Sequence, residues 1–301
     1  MVLRQSNTRR EAVLFYVFVG PALLGLLIFT LGPMVASFYF SFCDYEIVRA
    51  PEWVGLANYH KMFFVDKLPL KSLGVTAYYS FVGVPIRLVA QFLVALLLNR
   101  ALFGRSLFRT VLYLPSIVSG VALSLLWVWL LNPEFGLVNY LLWEVFGIQG
   151  PRWLSSPDWV IPALIVMSMW GIGGGIVICL AGLQGISEEL YEAAELDGAS
   201  GLQKMLRITV PHMTPVLFFN LIMGIIGSFQ VFTQGYVMTG GGHSNASLFY
   251  VLYLYWNAFN YFRMGYASAL AWVLFAIILA MTGLIFRSSS AWVYYEGSVQ
   301  M

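Results

Sequence analysis

Six long apolar runs constrain the fold of this chain more than any other feature. Each run is long enough to cross about 30 Å of hydrocarbon. None contains Asp or Glu, and Arg87 is the one basic residue well inside a run. Because a bilayer offers no partner to exposed backbone groups, we predict an all-α, polytopic membrane protein with six transmembrane helices. The runs lie near residues 13–40, 74–98, 108–131, 160–182, 214–238 and 264–286.

Composition supports a membrane class. Hydrophobic residues make up 60% of the 301 residues and charged residues only 10%, against about 25% charged in soluble domains. The net charge of +2 gives no reason to expect a nucleic acid partner. Cys43 and Cys179 stand in separate apolar stretches, so we expect small buried hydrophobes rather than a disulfide. The first run follows Arg4, Arg9 and Arg10 but is too long for a signal peptide, so we expect it to be retained.

The distribution of Lys and Arg predicts the orientation. If the N-terminus is cytoplasmic, nine basic residues lie on the inner side and six on the outer side, although the outer loops are longer in total. This bias predicts cytoplasmic termini. We therefore expect one transmembrane domain over 1–301, in which the loop of residues 183–213, called the charged loop below, lies on the cytoplasmic side.

The charged loop is the most polar stretch between two apolar runs. It includes "ELYEAAELDGASGLQKMLRITVP" at residues 189–211. Ser187 can cap a helix that stops at Gly198, and a second helix can start at Ser200 and close at Pro211. We predict two short helices hinged at Gly198–Ala199. Such a pair fits either an amphipathic connector at the membrane surface or insertion into the groove of another protein.

The sequence of this loop resembles the EAA loop of permease subunits from bacterial ABC importers. The family pattern has Glu-Ala-Ala, two residues, Asp-Gly-Ala, and then Ile-x-Leu-Pro. This chain departs from it at Val210, where Leu is usual, and at Leu202 and Met205, where aromatic residues are common. The matching positions, which the resemblance assigns to coupling with an ATPase, are Glu192, Ala193, Ala194, Asp197, Gly198, Ala199, Ile208 and Pro211.

The resemblance extends over nearly the whole chain and points to the sugar-importer branch. The stretches that show this resemblance are "WVGLANY", "RTVLYLPSIVSGVALSLLWVWLLNPEFGLVN" and "FQVFTQGYVMTGGGHSNAS". The last of them differs from the family pattern at His243, where the family often has Pro. The resemblance implies a subunit of the bacterial plasma membrane that pairs with a second, similar permease. It also implies two cytoplasmic ATPase subunits that bind ATP and Mg, an external solute-binding protein, and a sugar, oligosaccharide or polyol as substrate.

The resemblance also implies a substrate pathway along the two spans that flank the charged loop. In related importers the solute sits midway across the membrane. Aromatic faces there stack on sugar rings, and hydroxyl or amide groups bond to sugar hydroxyls. Counted from the matched loop, span four offers Met167, Trp170, Gly171 and Gly174, and span five offers Gly224, Gly227, Ser228, Val231 and Phe232.

Arg87 is an intramembrane charge near the middle of span two. Pro85 precedes it, and Gln91 follows one turn later on the same side. An arginine at this depth should not face lipid, so we predict a bundle-facing position. Its counter-charge can come from the second permease, from backbone carbonyls freed by Pro85, or from an anionic solute such as a sugar phosphate, whereas a side chain that reaches water needs none.

Two other functional classes fit the sequence less well. A secondary transporter driven by protons usually needs intramembrane carboxylates, and the runs contain none, although sodium coupling stays open. An enzyme is not expected, because His60, His212 and His243 stand in separate loops without a metal-site spacing. None of the lysines follows the phosphate-loop spacing, so we expect no catalytic residue, no metal and no cofactor on this chain.

Overall fold

The computed structural model describes the backbone of residues 3–100 and 103–294 and the side chains of residues 10–100 and 103–294. The side chains of Arg4 and Arg9, used in the predicted orientation, lie outside this set. Two short strands, β1 (Cys43–Asp44) and β2 (Glu52–Trp53), pair antiparallel. The α-helices are α1 (Leu3–Leu26), α2 (Gly32–Phe40), α3 (Ala57–His60), α4 (Leu68–Asn99), α5 (Arg105–Ile117), α6 (Gly120–Leu130), α7 (Leu137–Phe146), α8 (Val160–Trp170), α9 (Gly173–Gln184), α10 (Glu188–Leu196), α11 (Gly201–Lys204), α12 (Val210–Phe229), α13 (Tyr250–Tyr255) and α14 (Met264–Ser289).

This helical architecture confirms the predicted all-α, polytopic class. Four helical segments in the described chain are long and apolar enough to cross a membrane: Arg10–Phe40, Leu68–Asn99, Gly201–Phe229 and Met264–Ser289. Two bent pairs, α5 with α6 and α8 with α9, pass the same test together. The described chain thus has four unbroken candidate spans, or up to six if each bent pair crosses once.

Spans three and four are bent where the sequence predicted continuous helices. The bend between α5 and α6 is 101°, and that between α8 and α9 is 50°. At the first bend Val118 is extended (φ −68°, ψ 138°), and the Ser119 hydroxyl accepts a hydrogen bond from the Ala122 amide at 3.4 Å. At the second, Gly171 ends α8 (φ −86°, ψ 14°). A serine cap and a glycine both favour helix ends over helix interiors, which explains the breaks.

Span five differs from its prediction at both ends. A π-helical segment, Met205–Thr209, joins α11 to α12, so the helix is continuous over Gly201–Phe229. The prediction that Pro211 closes a helix was wrong, because Pro211 sits in the first turn of α12, directly after this wide turn. The missing N–H of Pro211 falls where the i→i−5 bonds of the wide turn give way to the i→i−4 bonds of α12.

The prolines of α12 therefore do not break the helix. Pro215 lies inside it and cannot donate to the carbonyl of Pro211. The Thr214 hydroxyl donates to that carbonyl instead, at 2.6 Å. The helix ends at Phe229, before the predicted end at residue 238, where glycine and β-branched residues in "GSFQVFT" weaken helix propensity.

The chain forms two compact units. The first runs through Asp66 and includes Leu254–Leu274; the second comprises Lys67–Tyr253 and continues from Phe275. In the first, the Asn58 amide donates to the backbone oxygens of Ser41 and Cys43, at 3.0 and 2.9 Å, which fixes the start of the β1–β2 hairpin.

The second unit contains both sites described below. Its central helix is α4, which packs against α8, α9 and α12. Gly173 lets α9 approach α5 closely, since a Cβ there would lie 2.6 Å from the Leu112 carbonyl oxygen. The buried apolar cluster at the charged-loop end of this bundle comprises Ala95, Leu98, Ile172, Ile176, Cys179, Leu180, Leu183 and Met213.

Candidate functional site

The charged loop consists of two capped helices with a sharp stop between them. The Ser187 hydroxyl accepts from the Glu189 amide at 3.3 Å and starts α10. Gly198 has φ +74°, the left-handed conformation that favours glycine after a helix. The Ser200 hydroxyl and the Gln203 side chain each accept from the other residue's backbone amide, at 3.4 and 2.7 Å, which makes a capping box for α11. The predicted first helix, the hinge at Gly198 and the start of the second helix at Ser200 are thereby confirmed, whereas the second helix is not a separate short one but the first turn of the helix Gly201–Phe229.

Two side-chain contacts fix the angle between these helices. The hydroxyls of Tyr191 and Thr209 lie 2.9 Å apart, which ties α10 to the π-helical turn. Lys204 donates to Glu195 at 2.5 Å across the glycine hinge. The hydrogen bond and the positive charge of Lys204 hold the pKa of Glu195 below its usual value. Because the Glu195 side chain is 64% exposed, salt screens this pair, and it contributes more to geometry than to stability.

Most of the predicted coupling residues surround one cleft of about 310 Å³ between the two helices. Glu192 and Ala193 lie outside it on the exposed side of α10, and Pro211 is half-buried in α12. Leu196, Leu202 and Leu206 add a solvent-facing apolar rim, with Leu196 91% exposed. The lining residues are Ala194, Asp197, Gly198, Ala199, Gln203, Lys204, Arg207 and Ile208.

A second cavity, of about 370 Å³, lies between α4, α8, α9 and α12 and is called the Arg87 cavity below. Three residues predicted to be functional, Arg87, Gly171 and Gly224, line it. No group of three or more His, Cys, Asp or Glu side chains is placed to hold a metal in the described part of the chain. The full lining is Val84, Arg87, Leu88, Gln91, Ser168, Gly171, Ile172, Gly175, Ile178, Phe219, Asn220, Met223 and Gly224.

Glycines make the space that the polar lining occupies. A Cβ on Gly175 would lie 2.2 Å from Cδ of Gln91, so the end of the glutamine side chain occupies the space that a larger residue at position 175 would fill. A Cβ on Gly224 would meet Cγ1 of Val84 at 3.0 Å, which shows how closely α12 approaches α4. Ser168 and Asn220 are lining residues that the sequence prediction missed, although each is a polar residue inside an apolar run.

The remaining predicted pathway residues do not line the Arg87 cavity. Met167 and Ser228 are buried, with 2% and 1% exposure, and the Ser228 hydroxyl donates to the Ile225 carbonyl at 3.0 Å. Trp170 packs edge-to-face on Trp127, with ring centroids 5.3 Å apart. Gly174, Gly227, Val231 and Phe232 are absent from the lining as well. The prediction assumed that spans four and five are continuous straight helices. Because the helix bends at Gly171 and α12 ends at Phe229, the predicted residues do not all face one cavity.

Known proteins resemble this chain over nearly its full length. A probable ABC transporter permease of Bacillus subtilis, YesP, is 41% identical over 296 residues, covering 97% of this chain and 96% of that protein. The trehalose/maltose transport system permease MalF of Thermococcus litoralis is 32% identical over 278 residues, covering 91% and 92%. The fold matches a bacterial alginate ABC transporter solved with an alginate pentasaccharide-bound periplasmic protein, with TM-score 0.83, 23% identity and coverage of 94% and 96%.

The family model that matches residues 83–294 is described as "Binding-protein-dependent transport system inner membrane component". The match includes the charged loop and every lining residue of the Arg87 cavity. It confirms the resemblance and the predictions of an inner-membrane, multi-pass location and of a transport subunit rather than an enzyme. The comparisons give no support to the alternative of a secondary transporter. The chain belongs to the family of inner-membrane permease components of binding-protein-dependent ABC transport systems.

Proposed function

We propose that residues 1–301 act as one permease domain that lines half of an import pathway and couples it to ATP hydrolysis on partner subunits. The continuous helix Gly201–Phe229 carries this proposal. One end of the helix borders the cleft of the charged loop, and Phe219, Asn220 and Gly224, nearer the other end, line the Arg87 cavity. About 15–25 Å of uninterrupted helix separates the two sites, so a push on the loop moves the cavity wall directly.

The charged loop is the proposed docking element for a cytoplasmic ATPase. Its exposed leucines and small alanines present an apolar surface, and Glu192 and Asp197 supply charges that orient a partner. This assignment places both termini on the cytoplasmic side, together with the loop. ATP and Mg belong to the two ATPase subunits in this scheme, and this chain binds neither.

The remaining proposed partners follow from the family. The family description refers to a binding protein, and a structural relative was solved with a periplasmic protein. We therefore include an external solute-binding protein and a second, similar permease that supplies the other half of the pathway.

The proposed solute is a sugar, an oligosaccharide or a related polyol. One relative, named as a trehalose/maltose transport permease, supports this class. The Arg87 cavity offers amides at Gln91 and Asn220, a hydroxyl at Ser168 and an aromatic ring at Phe219, which are groups that bind sugars. We assign the pathway to these residues together with Gly171 and Gly224.

The coupling assignment is tested with Ala193→Asp. Docking would bury the new carboxylate, and an unpaired buried charge costs several kcal/mol. We expect at least a ten-fold loss of transport-stimulated ATP hydrolysis, with membrane insertion unchanged. Glu188→Gln, at the exposed start of α10, is the matched control because it also changes the net charge by one outside the matched pattern. Wild-type coupling in Ala193→Asp would reject the docking element.

A further inference from the structure

Arg87 is the one charged residue that lines the Arg87 cavity. No Asp or Glu contributes to this lining, and Arg87 forms no ion pair with any of the described residues. The guanidinium therefore has no counter-charge among the described residues. A cation in an apolar helix bundle is costly unless an anion or several acceptors compensate it.

The chain's own acceptors satisfy only part of the guanidinium. Nε donates to the Gly83 carbonyl at 3.3 Å, and Cζ lies 5.8 Å from the centroid of the Tyr79 ring. Nη2 is buried and has no hydrogen-bond partner. The accepting carbonyl is that of Gly83, whereas Pro85 frees the carbonyl of residue 81, four positions before it. Backbone release by Pro85 therefore does not account for Nη2.

The groups beside Arg87 are neutral. Gln91 and Asn220 present amides, and the Ser168 hydroxyl already donates to the Ile165 carbonyl at 2.6 Å. Gln91 is placed by the missing side chain of Gly175, so this wall is built closely around a polar group. A guanidinium among neutral amides favours a ligand that combines one anionic group with several hydroxyls.

We propose that the imported solute carries an anionic group, a carboxylate, phosphate or sulfonate on a sugar, that accepts hydrogen bonds from Arg87. Arg87 is then a specificity-determining residue of the pathway. The neutral amides and the hydroxyl bind the sugar part of the same solute. This inference rests on the proposed function and adds the chemical class of the substrate.

The test measures direct binding to the assembled transporter in lipid nanodiscs without ATP. The probes are matched pairs: trigalacturonate with galactotriose, and glucose 6-phosphate with glucose. At least one acidic probe should bind wild type ten-fold or more tightly than its neutral counterpart. Arg87→Gln should remove that preference, and Arg87→Lys should retain part of it. Arg105→Gln, which removes a positive charge outside the cavity, should keep the full preference.

Several outcomes would overturn the assignment. The first is an equal affinity for acidic and neutral probes, or no binding of any acidic probe. The second is a preference that persists in Arg87→Gln. The third combines two results: Arg87→Gln no longer assembles, and the preference of the wild type for acidic probes is unchanged in 1 M salt. Failed assembly would mean that Arg87 pairs with the second permease. A preference that depends on an anion site should weaken in high salt, because salt screens the charges. Inorganic phosphate that binds as tightly as the acidic sugars would indicate a simple anion site.

The proposed function fails separately from this inference. If the complex does not assemble with an ATPase, or transports no sugar, the importer assignment itself is wrong. If the complex assembles, and if both wild type and Arg87→Gln take up neutral sugars as well as acidic ones, the importer assignment is supported. Only the assignment of an anionic solute to Arg87 is then wrong.

Discussion

The charged loop and the Arg87 cavity sit on the same helix and are built in opposite ways. In the loop, neighbours in sequence make the structure: Ser187 caps α10, Gly198 turns the chain, and Ser200 and Gln203 cap each other. In the cavity, the partners are distant in sequence, as Gly175 with Gln91 and Gly224 with Val84. The loop is exposed and carries several charges, whereas the cavity lies between four helices and has a single charge.

This contrast predicts where substitutions are tolerated. A locally encoded loop loses one turn when one residue changes, and the rest of the chain keeps its fold. In an interior that is packed from helices distant in sequence, one added atom that overlaps a neighbour displaces all of the helices in contact with it. The substitutions below test this difference, beginning with the largest expected effect.

Gly173→Ala should produce the largest effect. The added Cβ would lie 2.6 Å from the Leu112 oxygen and 2.8 Å from the Tyr113 Cα, which are backbone atoms that cannot rotate away. We expect a loss of about 1–3 kcal/mol or more, seen as a lower melting temperature of the purified complex. Gly174→Ala is the matched control, because nothing lies within 4 Å of its Cβ. Equal melting of the two variants would contradict close packing of α5 on α9.

Gly198→Ala should act on the loop alone. Its φ of +74° costs an L-residue about 1–2 kcal/mol, although space is available for the Cβ. Hydrogen exchange should quicken over residues 188–204 and stay unchanged in α4 and α9. Gly201→Ala, in a helical turn with open space, is the control. Gly198→Asn should restore part of the protection, since Asn tolerates this conformation.

Tyr191→Phe removes the hydroxyl that contacts Thr209. The expected cost is about 0.5–1.5 kcal/mol of local stability, because one hydrogen bond is lost at a partly buried position. A double-mutant cycle with Thr209→Val should show coupling between the two changes, measured from hydrogen exchange in α10. Purely additive effects would mean that the bond does not fix the angle between α10 and the π-helical turn.

The Lys204–Glu195 pair should give the smallest effect. The pKa of Glu195 lies below its usual 4.5, so the pair's contribution is fully present above pH 4.5 and is lost as pH falls through the lower folded value. Lys204→Gln should return the pKa of Glu195 toward 4.5, measured by carboxyl-carbon NMR. High salt should reduce the wild-type shift, since the pair is exposed. A shift that resists both changes would require another cation near Glu195.

Sequence reasoning succeeded where the cause of the structure is local. The helix caps at Ser187 and Ser200 and the stop at Gly198 are confirmed because each depends on residues within one turn. The apolar runs predicted the spans by length alone. The spacing of Arg87 and Gln91 likewise predicts one helix face, and both residues line the same cavity.

The failures have tertiary causes. Pro211 was expected to end a helix, but the wide turn before it lets the helix continue. Periodicity could not reveal that α8 bends at Gly171 or that α12 stops at Phe229, so Val231 and Phe232 were placed on a span that had already ended. Ser168 and Asn220 carried a usable signal as polar residues in apolar runs, but only the packing of α8 and α12 around α4 selects them.

The π-helical turn Met205–Thr209 sets the angular phase between the charged loop and the cavity wall. Such a turn contains about one residue more than an α-helix uses over the same rise. If the same five residues were α-helical instead, everything downstream would rotate by about 100° relative to the loop and the helix would lengthen by about 1.5 Å. Phe219, Asn220 and Gly224 would then point away from Arg87, although the backbone of the turn would still be hydrogen-bonded. The direction in which this wall faces is therefore encoded some ten or more residues upstream, in a turn that does not line the cavity.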